Sequence, residues 1–167
     1  MVVGGGEVAN RKARKLLQAR AKVAVVSPDV KPELASMAAE VHRRPYREGD
    51  LEGAFLVFAA TDVREANAAV TREAHERGIL VNVVDKPSEG DFALPSTLRR
   101  GQLQVAVSTG GASPTLARRI RRELEDAFGF EWADVVAELG RVRRDGRKAD
   151  EDELEEVVEE CLSRLRG

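Results

Sequence analysis

A single cysteine, Cys161, stands in 167 residues. That scarcity excludes an internal disulfide framework and any cysteine-cluster metal site, and it suits a reducing cytoplasm. Histidine is almost as rare. Neither His42 nor His75 sits at a recognisable ligand spacing, and His75 lies on a polar helical stretch where it is expected to face solvent. Long apolar runs are missing too. None approaches the ~20 residues that a membrane span requires, and no basic-then-apolar segment of the secretory kind opens the sequence. Neither charge sign dominates: 27 Lys+Arg against 29 Asp+Glu leave a net charge of −2, which argues against a general nucleic-acid binder. There is no internal repeat and no low-complexity tract. The 43% apolar content supports a buried core, and the length suits one domain, or one domain with a small appendage.

Two periods alternate along the first two-thirds of the chain. Apolar runs of strand length lie at Val23–Val26, Phe55–Ala60, Ile79–Val84 and Leu103–Val107. Between them are polar segments with apolar residues at helical spacing: Asn10–Arg20, carrying Ala13, Leu16 and Leu17, and Val63–Arg77, carrying Ala66, Ala69, Val70 and Ala74. Strands apolar at nearly every position are buried on both faces, as in parallel sheets. The alternation therefore predicts a doubly wound α/β sheet. From Ser113 onward the pattern is helical, with a stripe of Leu116, Ile120, Leu124 and Phe128. A second helical stretch covers about Phe130–Val142, and Arg143–Asp150 reads as a charged break. Glu151–Arg166 then places Leu154, Val157, Val158, Cys161, Leu162 and Leu165 on one face. Its acids come early and Arg164 and Arg166 late, in agreement with the helix dipole.

The segment Val2-Val3-Gly4-Gly5-Gly6-Glu7-Val8-Ala9 fits G-x-G-x-x-A. The first glycine permits a tight strand-to-helix turn, Gly6 lets backbone approach a pyrophosphate, and Ala9 lets helix pack closely on strand. The following helix aims free N–H groups at the phosphates. The same turn also forms without a ligand, but the helix and the Val23–Val26 strand that follow supply the context a dinucleotide site needs. Two features depart from the pattern. Only Val2 and Val3 separate Met1 from the glycines, short of the usual strand of about 5–6 residues, so this strand is either very short or the natural chain starts upstream. The acid that holds a ribose hydroxyl would fall near Ser27, whereas Asp29 stands two residues on. No arginine occupies Ser27–Asp29 to receive a 2′-phosphate, which favours NAD over NADP.

Asn82-Val83-Val84-Asp85-Lys86-Pro87 closes a buried strand. Ligands of open α/β sheets bind beyond the carboxyl ends of the strands, so Asp85 is placed either to exchange a proton with a substrate or merely to cap the Lys86-Pro87 turn. Thr61-Asp62 ends the preceding strand. Thr61 is expected to line the nucleotide site and Asp62 to cap the next helix. Ser108-Thr109-Gly110-Gly111-Ala112-Ser113-Pro114 links a strand to a helix, with Ser113 suited to the N-cap and Pro114 to the first helical position. This loop either holds an anion at the helix N-terminus or serves as a simple cap. Arg99 and Arg100, and the run Arg118, Arg119, Arg121 and Arg122, are either a solvated face or docking points for a polycarboxylate.

Together these segments resemble the precorrin-2 dehydrogenase family, which includes the amino-terminal part of sirohaem synthase and its stand-alone relatives. The resemblance rests on VVGGGEVANRKARKLL (Val2–Leu17), VVSPD (Val25–Asp29), FAATD (Phe58–Asp62), NVVDKP (Asn82–Pro87), DFALPS (Asp91–Ser96) and VAVSTGGASPTLARRIR (Val105–Arg121), in family order and spacing. It covers about Met1–Gly129. It implies an NAD-binding Rossmann domain over 1–95, a dimerisation segment over 96–128 and a helical tail over 129–167. The implied activity is oxidation of precorrin-2 to sirohydrochlorin with NAD⁺, on the route to sirohaem or cobalamin. Some members also insert Fe²⁺, so Fe²⁺ or Co²⁺ stands open here as a further substrate. The implied partner is a second copy of the chain in an intertwined dimer, each active site drawing on both subunits.

The resemblance also assigns residues. The catalytic aspartate of NVVD matches Asp85. Glu7, Val8, Pro28 and Asp29 fall where the family touches NAD, beside Gly4, Gly5, Gly6 and Thr61. Thr109 matches an active-site position, with Ser113 in the same loop, and Arg99, Arg100, Arg118, Arg119 and Arg122 are candidates to dock the substrate carboxylates. The rival from another class is a non-catalytic NAD-sensing module, which would need the Gly4–Ala9 turn but not Asp85 or the Ser108–Pro114 loop. A third reading makes the helical tail an assembly scaffold.

Overall fold

The computed structural model describes residues 1–144 and 151–166, with side chains at 154–164 in the last stretch. The chain forms two units, Met1–Ala93 and Leu94–Gly167. In the first, five strands (β1 Val2–Val3, β2 Ala24–Val26, β3 Glu40–His42, β4 Leu56–Ala59, β5 Leu80–Val83) make one parallel sheet in the order β3-β2-β1-β4-β5. The helices are α1 Glu7–Gln18, α2 Pro32–Met37 and α3 Arg64–Glu76. The chain winds outward from β1 to β3 and then returns to lay β4 beside β1. The doubly wound Rossmann-like sheet is thus present, and its switch point lies between β1 and β4, where such sheets bind ligands.

The first strand is only two residues long, yet it is the centre of the sheet. Val2 faces Val25 and Phe58, and Val3 faces Val26 and Ala59. Both valines are buried. The main chain of Met1 continues the pairing: its carbonyl accepts from Phe58 N at 3.0 Å, and its amino group donates to Leu56 O at 2.7 Å. Burial lowers the pKa of that amino group. Ala9 and Ala13 of α1 are fully buried, and small side chains there let the helix lie close to the strands. Phe58 fills the floor, packed edge-to-face on Phe92 with ring centroids 5.5 Å apart.

The structure differs from these expectations at three points. First, Leu103–Val107 belongs to no parallel sheet. It is β7, paired antiparallel with β6 (Ser96–Arg100) in a separate hairpin. Gln104 breaks the apolar run, and alternate residues are exposed, which is the pattern of a hairpin with one open face. The turn is Gly101-Gln102 with Gly101 at φ +55°, as two-residue hairpin loops demand. Second, α2 and β3 have no counterpart in the sequence reading, because Glu40-Val41-His42 is too short and too polar to show a period. Third, of the apolar face expected on α3, Val70 and Ala74 are buried while Ala66 and Ala69 are only partly so, and Asn67, Thr71 and Glu73 complete the buried face. The polar members are buried because each has partners: Thr71 Oγ1 donates to Asn67 O at 2.7 Å, and Glu73 accepts from Gly49 N at 3.0 Å, from the Tyr46 hydroxyl and from Arg77 Nε at 2.7 Å.

Beyond β5 the chain turns through a 3-10 segment, Pro87–Glu89, and doubles back along the strand. Asp91 N donates to Val81 O at 2.8 Å, and Val81 N donates to Asp91 Oδ2 at 2.8 Å. His75 is half exposed, as expected, and its Nε2 lies 3.4 Å from Asp91 Oδ1.

The second unit joins the β6–β7 hairpin to α4 (Pro114–Ala127), α5 (Trp132–Arg144) and α6 (Glu151–Arg166). Helix α4 packs on both hairpin strands, with Ala117 and Leu98 buried. Cys161 of α6 is buried, and Leu154 is partly exposed. The break expected at Arg143–Asp150 lies, from position 145 on, outside the described residues, as do the side chains of Leu165 and Arg166. No described helix is long and apolar enough to cross a membrane.

Candidate functional site

The three turn glycines have three different reasons to be glycine. Gly4 has φ +124°, and a Cβ there would stand 2.3 Å from Ala60 O on β4's exit. Gly5 would place a Cβ 1.8 Å from Asp29 O, and its own carbonyl accepts from Lys31 N at 3.1 Å. The loop after β2 is thereby laced onto the turn. Gly6 meets nothing within 4 Å, so no protein atom requires a glycine there. It is the N-cap of α1 and supplies no side-chain oxygen, which leaves the first N–H groups of the helix available to an anion.

A cleft of about 940 Å³ opens over this turn, a volume typical of small-molecule and cofactor sites. Its walls are Gly4–Val8, Ser27–Lys31 and Ala60–Val63, closed by Arg43, Pro45, Tyr46 and Val84. The expected cofactor residues Gly4, Gly5, Gly6, Glu7, Val8, Pro28, Asp29 and Thr61 all line it. Sequence reasoning missed the residues that other loops bring in. Lys31 pairs with Glu7 beside the turn, which lowers the Glu7 pKa and raises that of Lys31. Arg43 follows β3 and donates to Val30 O at 3.4 Å. Tyr46 is fixed by its hydroxyl on Glu73, and burial with that carboxylate pushes its pKa well above the usual value. No local pattern marks these three: Lys31 is placed by the loop after β2, whose main chain is tied to Gly5, and Arg43 and Tyr46 by the loop after β3, which is anchored on Glu73 of α3.

Asp85 follows β5 by two residues, its side chain 32% exposed. It caps no turn by its carboxylate. Instead Oδ1 accepts from Asn67 Nδ2 at 2.9 Å, and Oδ2 lies 3.4 Å from Arg64 Nη1. Asn67 is fully buried and also holds Thr61: its Oδ1 accepts from Thr61 N at 3.1 Å and Thr61 Oγ1 at 2.9 Å, and its Nδ2 donates to Thr61 O at 3.0 Å. The structure thus ties the cleft wall to Asp85 through one amide. Asp62 does not cap α3. The N-cap is Val63 without a side-chain bond, and Thr61 Oγ1 takes the Val63 N–H at 3.1 Å. An asparagine one turn before Val70 and Thr71, on the face that α3 turns inward, is the signal that could have found Asn67.

In the second unit Ser113 caps α4 as expected, its Oγ accepting from Leu116 N at 3.1 Å. Thr109 Oγ1 accepts from Ser113 N at 3.0 Å. Gly110 and Gly111 have φ +61° and +88° with open space around them, so the backbone conformation alone accounts for both. Arg100 is engaged elsewhere than docking: Nε donates to Phe128 O at 2.8 Å and Nη2 to Glu125 O at 3.2 Å, with the guanidinium 4.4 Å over the Phe130 ring. It closes the C-terminus of α4. Arg119 pairs with Glu123 at 2.9 Å, and Arg118 donates to Thr115 Oγ1 at 3.2 Å. Arg99 and Arg122 have no ion-pair partner among the described residues. Nor do those residues include any group of three or more His, Cys, Asp or Glu placed to hold a metal ion.

Siroheme synthase 1 of Aeromonas salmonicida is 43% identical over 98% of this chain and 36% of its own length. Siroheme synthase of Pseudomonas paraeruginosa is 48% identical over 86% of this chain and 32% of its own length. The chain thus spans about a third of the curated relatives it matches. The solved structure of SirC, precorrin-2 dehydrogenase, superposes with a TM-score of 0.76 at 29% identity, over 95% of this chain and 81% of that one. The model of the sirohaem biosynthesis protein central segment matches residues 100–127. The model described as Putative NAD(P)-binding matches residues 1–96, more than half of the chain, and by that match the protein belongs to the Putative NAD(P)-binding family.

Proposed function

We propose that this chain is an NAD-dependent dehydrogenase that oxidises precorrin-2 to sirohydrochlorin, in sirohaem or cobalamin biosynthesis. The observation that carries the reading is the tie between Asp85 and the cleft wall: a carboxylate at the end of β5 is held, through Asn67, to Thr61 of the cleft over the glycine turn. A sensing module has no use for such a carboxylate, and the similar proteins are named as synthases or as a dehydrogenase.

The residues present fit NAD. Gly6 leaves open the space that a Cβ would fill, and the uncapped start of α1 offers N–H donors beside it. Gly4–Val8 would seat the pyrophosphate, Pro28 and Asp29 the adenosine ribose, and Thr61 would line the path between. When bound, NAD⁺ supplies the hydride acceptor. The oxidation removes one hydride and one proton from the macrocycle. Asp85 takes the proton, so the balance is NADH plus a protonated carboxyl that releases H⁺ to water. Because precorrin-2 is a polycarboxylate, Arg99, Arg118, Arg119 and Arg122 are its docking groups. Thr109 and Ser113 each accept one backbone N–H in their loop and retain a hydroxyl proton to donate to a substrate carboxylate. The working form is a homodimer in the cytoplasm, with 96–128 as the segment that joins the copies. Insertion of Fe²⁺ or Co²⁺ into the product is a separate activity and has its own arm in the assay.

The test is anaerobic absorbance during incubation with precorrin-2 and NAD⁺ without metal. NADH and sirohydrochlorin should appear together, and addition of Fe²⁺ or Co²⁺ to the same cuvette reads chelation. Asp85→Ala should abolish NADH formation and leave NAD⁺ binding nearly intact. NAD⁺ binding by the parent without turnover would overturn the dehydrogenase in favour of the sensing module.

A further inference from the structure

We propose that α3 works as a two-point clamp on Asp85: Asn67 and Arg64 are positioning residues that fix one carboxylate oxygen each and register the carboxylate to the cofactor cleft. The inference rests on the reading of Asp85 as the proton acceptor and deepens it.

Arg64 and Asn67 lie three residues apart on α3 and so share a face. That face meets the end of β5. Asn67 Nδ2 reaches Oδ1 of Asp85 at 2.9 Å, and Arg64 Nη1 stands 3.4 Å from Oδ2. The orientation of the amide is settled by its surroundings. Thr61 N can only donate, so the group 3.1 Å from it must be the oxygen of Asn67. The NH₂ group therefore faces Thr61 O and Asp85. Both amide hydrogens and the amide oxygen are used, in a fully buried side chain, which leaves the carboxylate little freedom to turn. Arg64 is held from its far side. Its Nη2 pairs with Glu89, which Lys86 also reaches at 2.7 Å. The chain Asp85–Arg64–Glu89–Lys86 thus braces the turn that carries the carboxylate.

The second consequence concerns registry. Thr61 lines the cofactor cleft, and the same amide that orients Asp85 holds the Thr61 main chain and hydroxyl. Cofactor wall and proton acceptor are therefore set by one rigid group. A displacement of about 1 Å at such a site costs on the order of a hundredfold in rate.

The experiment compares the full chain with Arg64→Ala, Arg64→Lys, Asn67→Ala and Asp85→Ala. It measures anaerobic NADH formation with precorrin-2 at saturating NAD⁺, NAD⁺ affinity by calorimetry, and melting temperature. Arg64 is 40% exposed in its side chain and outside the cleft wall, so Arg64→Ala should fold, bind NAD⁺ like the parent and lose about tenfold or more in kcat. Arg64→Lys should recover only part, since an ammonium cannot fork between two carboxylates. Guanidinium ion at low millimolar concentration should partly rescue Arg64→Ala and not Asp85→Ala, a response that a purely structural role would not give. Asn67→Ala should weaken NAD⁺ binding and lower kcat together. If Asp85→Ala is dead while Arg64→Ala keeps the parental kcat, the clamp is wrong and the proton acceptor stands. If Asp85→Ala turns over like the parent, the assignment of Asp85 fails and the clamp falls with it.

Discussion

Gly5 and Gly6 are neighbours with opposite sensitivities, and a pair of alanine variants separates folding from cofactor binding at one turn. A methyl group at position 5 would stand 1.8 Å from Asp29 O and 2.8 Å from Val30 Cα, where ordinary contact begins at 3.4 Å. Both neighbours are backbone and cannot rotate away, so the loop after β2 must lift off the turn. Overpacking of this kind costs about 1–3 kcal/mol or more, and the Lys31 N–H bond to Gly5 O at 3.1 Å adds about 1 kcal/mol when it breaks. A loss of about 2–4 kcal/mol corresponds to a fall in melting temperature of about 5–15 °C for a chain of this size. At position 6 the added methyl meets nothing, and φ −83°, ψ −166° is open to any L-residue. The cost to stability should stay under about 1 kcal/mol, that of a poorer N-cap. The methyl would, however, enter the space proposed above for the pyrophosphate. NAD⁺ affinity should fall by about tenfold or more, which is ~1.4 kcal/mol per factor of ten. Thermal melting and calorimetric titration read the two quantities independently. Parental NAD⁺ affinity in Gly6→Ala would refute the pyrophosphate seat, and a parental melting temperature in Gly5→Ala would refute the lacing of the loop onto the turn.

Two further outcomes follow from anchors remote from that turn. Burial alone would raise the pKa of Glu73, but the Tyr46 hydroxyl, the Gly49 N–H and the Arg77 guanidinium outweigh it and hold the carboxyl below its ordinary 4.5. Its stabilising effect is therefore complete at neutral pH and is lost as pH falls through the lowered value. Glu73→Gln should cost about 2–3 kcal/mol at pH 7, and the gap between parent and variant should narrow in melts taken below pH 4.5. Arg100→Ala removes two bonds to the last carbonyls of α4 and should cost about 1–3 kcal/mol. Faster hydrogen exchange confined to the end of α4 would report it, whereas uniform protection there would count against the clasp.

What the sequence reveals and what it hides divide by the range of the forces involved. The glycine turn, the Ser113-Pro114 start of α4 and the apolar runs of β2, β4 and β5 are legible because each is decided by neighbours a few residues away. The need for glycine at position 5 is not, because the atom that forbids a side chain is Asp29 O, some two dozen positions along. Asn67 is hidden for the same reason. It stands beside the apolar positions Ala66, Val70 and Ala74 without being one of them, and only the approach of Thr61 and Asp85 converts it into a hub. The β6–β7 hairpin was obscured by a different cause. An apolar run interrupted by one glutamine serves equally as a buried parallel strand or as half of a hairpin, and Gly101 decides between them. Asp85 at the end of β5 was legible from position, while its bond to Asn67, in place of a role in the Lys86 turn, was visible only once α3 was docked.

The return of the chain along β5 bears on how the protein behaves when crowded. β5 is an outer strand of the sheet, and an outer strand with free N–H and C=O groups invites another polypeptide to add itself. At Val81 both of those groups are already taken by Asp91, one by its main chain and one by its carboxylate. The opposite border, β3, is only three residues long and carries Glu40 and His42, a poor template for growth. The five-stranded sheet therefore terminates itself on both sides, and unwanted stacking of copies through this sheet is discouraged by the same Asp91 that closes the turn after Asp85.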